Sequence, residues 1–265
     1  MKAKRAYAEG VVATQLSGFC SKCDVFNVMI DIRKSSERGH ANHGWLDTHH
    51  SFSFGEYYDP ANMGFRSLRV LNEDHIAPDA GFPTHPHANM EIFSYLASGR
   101  LAHRDSLGST AEIFPGRVQL MSAGTGIRHS EFNPSPTEPT HLLQVWLLPE
   151  SNGLEPNYQE LDYTPTDVEN RLKLLASQDG EGGSMVIRQQ ARIYAAQLKP
   201  GNSLALPLGD NESGWLQLVR GKVTLNSTAD EDVTLQAGDG AAVEFAGALT
   251  LSAFEDAEFL WFAMA

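Results

Sequence analysis

Trp215-Leu216-Gln217-Leu218-Val219-Arg220-Gly221-Lys222-Val223-Thr224-Leu225 alternates apolar and polar side chains on both sides of a glycine. A period of two is the signature of a strand, and Gly221-Lys222 supplies a turn, so the stretch reads as a β-hairpin. Working outward, His141–Leu148, Ala248–Phe254 and Glu258–Ala263 are further short apolar segments, set between polar, Gly or Pro residues. Short strands at such spacing predict an all-β barrel or sandwich. The hairpin has an earlier counterpart in Gly99-Arg100-Leu101-Ala102-His103. Gly116 follows Gly99 by 17 residues, and Gly238 follows Gly221 by the same 17. The matched glycines and their flanking strands predict two similar β-barrels in tandem, over residues 29–160 and 161–265. Thr166–Leu175, with a capping residue and helical apolar spacing, is the helix expected to connect them.

The 265 residues suffice for two ordinary domains or one large one. At 42% hydrophobic and 20% charged, the chain reads as globular rather than disordered. Its net charge of −13 repels phosphate backbones and speaks against direct nucleic-acid binding. No run of about 18 apolar residues exists, so no membrane helix is expected. Two cysteines are too few for a disulfide scaffold, which fits a reducing, cytoplasmic setting. Residues 1–28 stand apart. Lys2, Lys4, Arg5 and Lys22 against Glu9 and Asp24 give them a net +2 and leave −15 for the rest. They lack the apolar core of a signal peptide and are read as an N-terminal extension. Met29-Ile30-Asp31-Ile32-Arg33 then opens the folded body. Cys20-x-x-Cys23 is read as two ordinary thiols, because zinc needs two more ligands and a redox motif needs a βα context.

All ten histidines lie at or before His141, so imidazole chemistry belongs to the first half. Gly81-Phe82-Pro83-Thr84-His85-Pro86-His87 is the sharpest feature. On a strand, residues two apart share a face, and His85 and His87 can share one cation. Glu91 stays on that face if the strand continues. Downstream, His129 and Glu131 form a second same-face pair in Gly124-Thr125-Gly126-Ile127-Arg128-His129-Ser130-Glu131. Three histidines and a carboxylate suit a divalent transition metal with open positions. A second cluster, His40, His43, His49 and His50, is expected to cap and hydrogen-bond, as are His75, His103 and His141.

At these residues the sequence resembles the cupins, and among them pirin and its bacterial relatives. His85-x-His87-x3-Glu91-x7-Gly99 approximates the first cupin motif, and Gly116 through His129 to Asn133 the second. Ser122 replaces the usual proline there, and two extra residues precede the histidine. The pirin-like pattern extends over Arg38-Gly39-His40, Trp45-Leu46-Asp47, Phe52-Ser53-Phe54, Tyr58-Asp59-Pro60, Met63-Gly64-Phe65, Met121–Glu131 and Gln144-Val145-Trp146. The resemblance implies a bicupin, two jelly-roll-like barrels with one metal in the first. It implies the ligand set His85, His87, His129 and Glu131, with Glu91 off the metal. Carried over by the glycine offsets, these positions become Pro207, Gly209, Leu251 and Ala253, so the second barrel is expected to lack a metal.

The activity implied is that of quercetin 2,3-dioxygenases, which open the central ring of a flavonol with O2 and release carbon monoxide. Glu131 is the expected base for the substrate hydroxyl, and Phe82 and Phe93 could stack on flat rings. The expected cofactor is one divalent metal per chain, iron first for its O2 chemistry, with Ni, Cu, Co, Mn or Zn also compatible. The second function implied is a non-enzymatic, metal-sensing regulator that binds a protein partner.

Overall fold

Along a strand, odd and even residues part to opposite faces of the sheet, and here each face finds its own core. In Ser213–Arg220, Leu216 and Leu218 enter one apolar cluster, while Trp215 and Val219 enter another. Ala257–Met264 splits the same way: Phe259 and Trp261 on one side, Leu260, Phe262 and Met264 on the other. Burial on both faces explains why this strand reads as an unbroken apolar run.

A computed structural model describes residues 29–228, 231–244 and 248–265. The expectations for residues 1–28, including Cys20 and Cys23, fall outside the described residues. The architecture is the expected pair of β-barrels, each built from a seven-stranded and a four-stranded sheet. In the first barrel the large sheet runs in the order Asn157–Asp162, Arg117–Ser122, Glu91–Ser98, Thr140–Leu147, Leu68–Ile76, Leu46–His50, Gly39–Asn42. Its small sheet is Gly81–His87, Ile127–Phe132, Leu101–Asp105, Thr110–Ile113. The second barrel repeats the plan, with Ser213–Arg220 where the first has Glu91–Ser98 and Ala257–Met264 where it has Thr140–Leu147. One element departs from sequence order. Met29–Arg33, expected in the barrel over 29–160, pairs antiparallel with Gly240–Glu244 at the edge of the second barrel's large sheet.

The two large sheets face each other. Phe93, Tyr95, Leu143 and Val145 of the first share a buried cluster with Trp215, Leu260 and Phe262 of the second. Each such side chain contributes roughly 1.5–3 kcal/mol on burial. Tyr95 donates to Glu258 Oε1 at 2.6 Å, and Arg220 Nη2 donates to Ala97 O at 2.6 Å across the same junction. Gly99 and Gly221 occupy matched left-handed turns at φ +80° and +84°; a Cβ on Gly221 would meet Asp256 O.

The helix expected over Thr166–Leu175 is a correction. Only Pro165–Val168 is helical, capped by Thr164, whose N–H donates to Asp167 Oδ2 at 2.7 Å. Asn170, at φ +52°, ends the turn, and Leu174 then pairs with Tyr194 in the strand Lys173–Ser177. Tertiary pairing overrides the local apolar spacing. Among the described residues no helix is long and apolar enough to cross a membrane.

Candidate metal centre

Gly81–His87 is an edge strand of the small sheet, which is why it tolerates Pro83 and Pro86 without losing ladder bonds. It pairs with Ile127–Phe132, setting His85 opposite His129 and Phe82 opposite Glu131, with a register shift between the two. A Cβ on Gly81 would meet the backbone of Glu131 and Phe132, so only glycine allows this approach. In Ile127–Phe132, residues 127, 129 and 131 are buried and point inward.

His85, His87 and His129 each bring a nitrogen within 4.8 Å of the others. His129 Nε2 lies 3.1 Å from His85 Nε2, close to the separation of two nitrogens sharing a metal at about 2.0–2.1 Å. His85 Nδ1 donates to Pro83 O at 2.8 Å, leaving its Nε2 lone pair for the centre. Burial and the neighbouring imidazoles push His129 down to about 2 and His87 to about 4. Both are neutral at physiological pH, the form that binds metals. The donor set therefore fits a divalent transition metal.

Glu131 is fully buried and reaches across the lumen to the large sheet, where Gln119 Nε2 and Gln144 Nε2 each donate to it at 2.8 Å. Burial outweighs these bonds and raises its carboxyl to about 7. It groups with His129 and His103 within 4.8 Å; among the described residues no such group unites it with His85 and His87. Glu91 is elsewhere. Asn89, at φ +51°, breaks the strand after His87, and Glu91 begins a strand of the large sheet. Its Oε2 accepts from Ser122 Oγ at 2.7 Å and from the Arg188 N–H at 3.2 Å, facing the second barrel.

A cavity of about 760 Å3 opens beside the histidines, within the ordinary range for small-molecule sites. Phe54, Phe82 and Trp146 supply apolar walls, and Thr48, Asn72 and Asp74 polar ones. Trp146 meets His87 edge-on at 4.8 Å. Burial raises Asp74 to about 7 despite a 2.5 Å bond from Thr48 Oγ1. Phe82 takes its expected place, but Phe93 does not: strand parity sends it to the junction between barrels. Several other histidines are hydrogen-bonded away from His129, although His40, Asp47 and His49 form a further, more exposed group with ligand atoms within 4.8 Å of one another, and His40, His43 and His50 line the cavity. His40 bonds Asp47 at 2.7 Å, His50 bonds Asn72 at 2.8 Å, and His141 bonds Glu73 at 2.8 Å. His103 is the exception, since it lies against His129. Gln119, Gln144 and Asp74 were also missed; only the inward parity of their strands marks them.

Among the described residues the second barrel has no such centre. The glycine offsets place Leu251 at the His129 position, but the register is two residues shorter. Leu249, opposite Ser227, stands where His129 faces Asp105, and Leu251, opposite Leu225, stands where Glu131 faces His103. Both leucines are buried in an apolar lumen with Leu225 and Trp261. Trp261 Nε1 donates to Pro207 O at 2.9 Å, filling the space beside the His85 equivalent.

Residues 31–147 match the family Pirin, and residues 174–264 match the quercetinase C-terminal cupin domain. Over 234 residues the chain is 43% identical to a protein of Escherichia coli (strain K12) named quercetin 2,3-dioxygenase, covering 88% of this chain and 98% of that one. The chain belongs to the pirin family. A pirin-like protein of Caulobacter vibrioides is 42% identical over 231 residues, 87% of this chain and 97% of the relative. The solved structure of the bacterial pirin YhhW from Escherichia coli in complex with nickel(II) superposes with a TM-score of 0.83 at 43% identity, covering 89% of this chain and 99% of that pirin.

Proposed function

We propose that this pirin is a metal-dependent dioxygenase of the quercetin 2,3-dioxygenase type, acting on a flavonol-like aromatic substrate with O2. The observation that carries the reading is the convergence of His85, His87 and His129 beside a cavity with aromatic walls. The curated relative named quercetin 2,3-dioxygenase supports the same reaction class. His85, His87, His129 and Glu131 are the proposed ligands. A metal held there would supply a Lewis acid for an enolate oxygen and redox contact with O2. Iron is the proposed native ion; nickel(II) in the related pirin argues that the donor set accepts other divalent ions.

Glu131 is the proposed base. It is buried and faces the lumen beside His129, where its carboxylate is placed to accept a hydroxyl proton. Gln119 and Gln144 hold it from the opposite sheet and keep it aimed at the lumen. Phe82 and Trp146 offer flat surfaces that orient an aromatic ring and exclude water. The acidic body makes a nucleic-acid partner a poor proposal. The low cysteine content keeps the cytoplasm as the proposed location.

The test is direct. Protein loaded separately with Fe(II), Ni(II), Cu(II), Co(II) and Mn(II) is mixed with quercetin and O2, and the flavonol absorption band is followed. Turnover that disappears in His85→Ala is expected. Absence of turnover with several flavonols and every metal would refute the enzyme reading and leave the regulatory one.

A further inference from the structure

The proposed ligand set uses one nitrogen of His129 and leaves the other to be explained. His129 Nδ1 lies 3.4 Å from His103 Nδ1, and His103 Nε2 lies 3.1 Å from Asp105 Oδ2. His129 and His103 are each 1% exposed, and the Asp105 side chain is fully buried. A carboxylate only accepts, so His103 carries its proton on Nε2. Its Nδ1 is then an acceptor, and the contact is a hydrogen bond when His129 donates from its own Nδ1. The His129 lone pair is left on Nε2, the nitrogen that faces His85 Nε2 at 3.1 Å. His85 reaches the same state through Pro83 O.

The chain of contacts is held at its far end. Asp105 Oδ1 accepts from the N–H groups of Leu107 at 2.9 Å and Ser109 at 3.0 Å, which leaves Oδ2 for His103. Tyr158 stacks on His103 with ring centroids 4.6 Å apart and planes 23° apart, and its hydroxyl donates to Gln119 Oε1 at 2.9 Å. Both the plane and the protonated nitrogen of His103 are therefore set by the fold.

We propose that Asp105 and His103 are positioning residues for the metal centre, acting in series to fix the tautomer of His129 and strengthen its Nε2 as a donor. The proposal rests on the reading of His85, His87 and His129 as metal ligands. The carboxylate polarises the His103 Nε2–H bond, which makes Nδ1 a better acceptor. The His129 Nδ1–H bond is polarised in turn, and electron density returns to Nε2.

Chelator-treated protein with isotope-labelled histidines reports the tautomers directly, through long-range proton–nitrogen correlation of the imidazoles. His129 protonated on Nδ1 and His103 on Nε2 are expected in wild type. In Asp105→Asn the His103 pattern should become mixed, and Zn(II) affinity, measured by competition with a chelator, should fall about 10–100-fold. His103→Phe keeps a ring against Tyr158 and should lose affinity to a similar extent. His129 protonated on Nε2 in wild type overturns the proposal. So does an unchanged tautomer pattern and affinity in Asp105→Asn, or a Zn-bound nitrogen shift on His103. A wild-type protein that binds no Zn(II) refutes the ligand reading instead, while the tautomers still decide the hydrogen-bond series.

Discussion

Replacing Glu131 by Gln should stabilise the metal-free protein at alkaline pH while abolishing tight metal binding. In the folded, metal-free chain burial raises the Glu131 carboxyl to about 7, against an ordinary value of 4.5. Between those values the folded state binds more protons than the unfolded one, so stability falls as pH rises. The shift is worth about 3 kcal/mol above pH 8 and only about 1 kcal/mol at pH 5. The amide that replaces the carboxylate would turn its own NH2 toward one of two donors, Gln119 Nε2 or Gln144 Nε2, and lose a bond worth about 1 kcal/mol. The net expectation for Glu131→Gln is near-equal stability at pH 5 and a gain of about 2 kcal/mol at pH 8. Asp74, raised to about 7 by burial, leaves a second pH dependence of the same sign in both proteins. Guanidinium unfolding of chelator-treated wild type and variant at the two pH values measures the difference. Parallel pH profiles would refute the argument that Glu131 is a destabilised buried acid. Metal content supplies the other half. Glu131→Gln should retain little Ni(II) after dialysis, and Glu91→Gln, whose side chain bonds Ser122 and Arg188, should retain it fully. The reverse outcome would reassign the carboxylate ligand.

Tyr95→Phe removes the donor to buried Glu258 and should lower stability by about 1–3 kcal/mol in denaturant unfolding, without changing metal content. Gly221→Ala should cost more than Gly201→Ala, although both residues have positive φ, because only Gly221 meets backbone where its Cβ would sit; thermal unfolding of the pair decides. Metal analysis should find one tightly bound equivalent per chain and none in His85→Ala, since Trp261 and Leu251 occupy the second lumen. Residues 29–160 expressed alone should be insoluble or molten, because Phe93, Leu143 and Val145 lose their cover; a soluble fragment that unfolds cooperatively contradicts this.

The repeat was legible because turn geometry demands glycine, and Gly99, Gly116, Gly221 and Gly238 all adopt positive φ. The histidine pairs were legible because two-residue spacing survives any strand packing. Glu91 illustrates the limit. Its spacing from His87 suits one continuous strand, and nothing short of the left-handed Asn89 says the chain turns. Phe93 fails for a related reason, since alternation separates two faces without saying which one meets the cavity. His103 and Asp105 carry the same spacing as the recognised pairs, but their link to His129 arises between paired strands and has no sequence signature. The short helix shows local apolar spacing losing to a pairing partner, Tyr194, 20 residues away.

The strand Met29–Arg33 has a consequence for how the protein is made. Met29 pairs with Glu244 and Arg33 with Gly240, so the earliest described residues to leave the ribosome wait for some of the last. The first barrel's apolar face stays uncovered until the second barrel is made, and the second barrel's large sheet keeps an unpaired edge until Met29–Arg33 meets Gly240–Glu244. Closing so long a loop slows folding and lengthens the life of that open edge. Once seated, the strand makes the chain cross between the barrels twice, through Lys34–Arg38 and again near Pro165–Val168. Ser35 N–H donates to Asp239 Oδ1 at 2.7 Å, and Arg38 Nη2 reaches Glu73 Oε2 at 2.7 Å, so the first crossing is anchored on both sides. A protease nick in the second crossing would therefore leave two pieces that stay interlocked through the first.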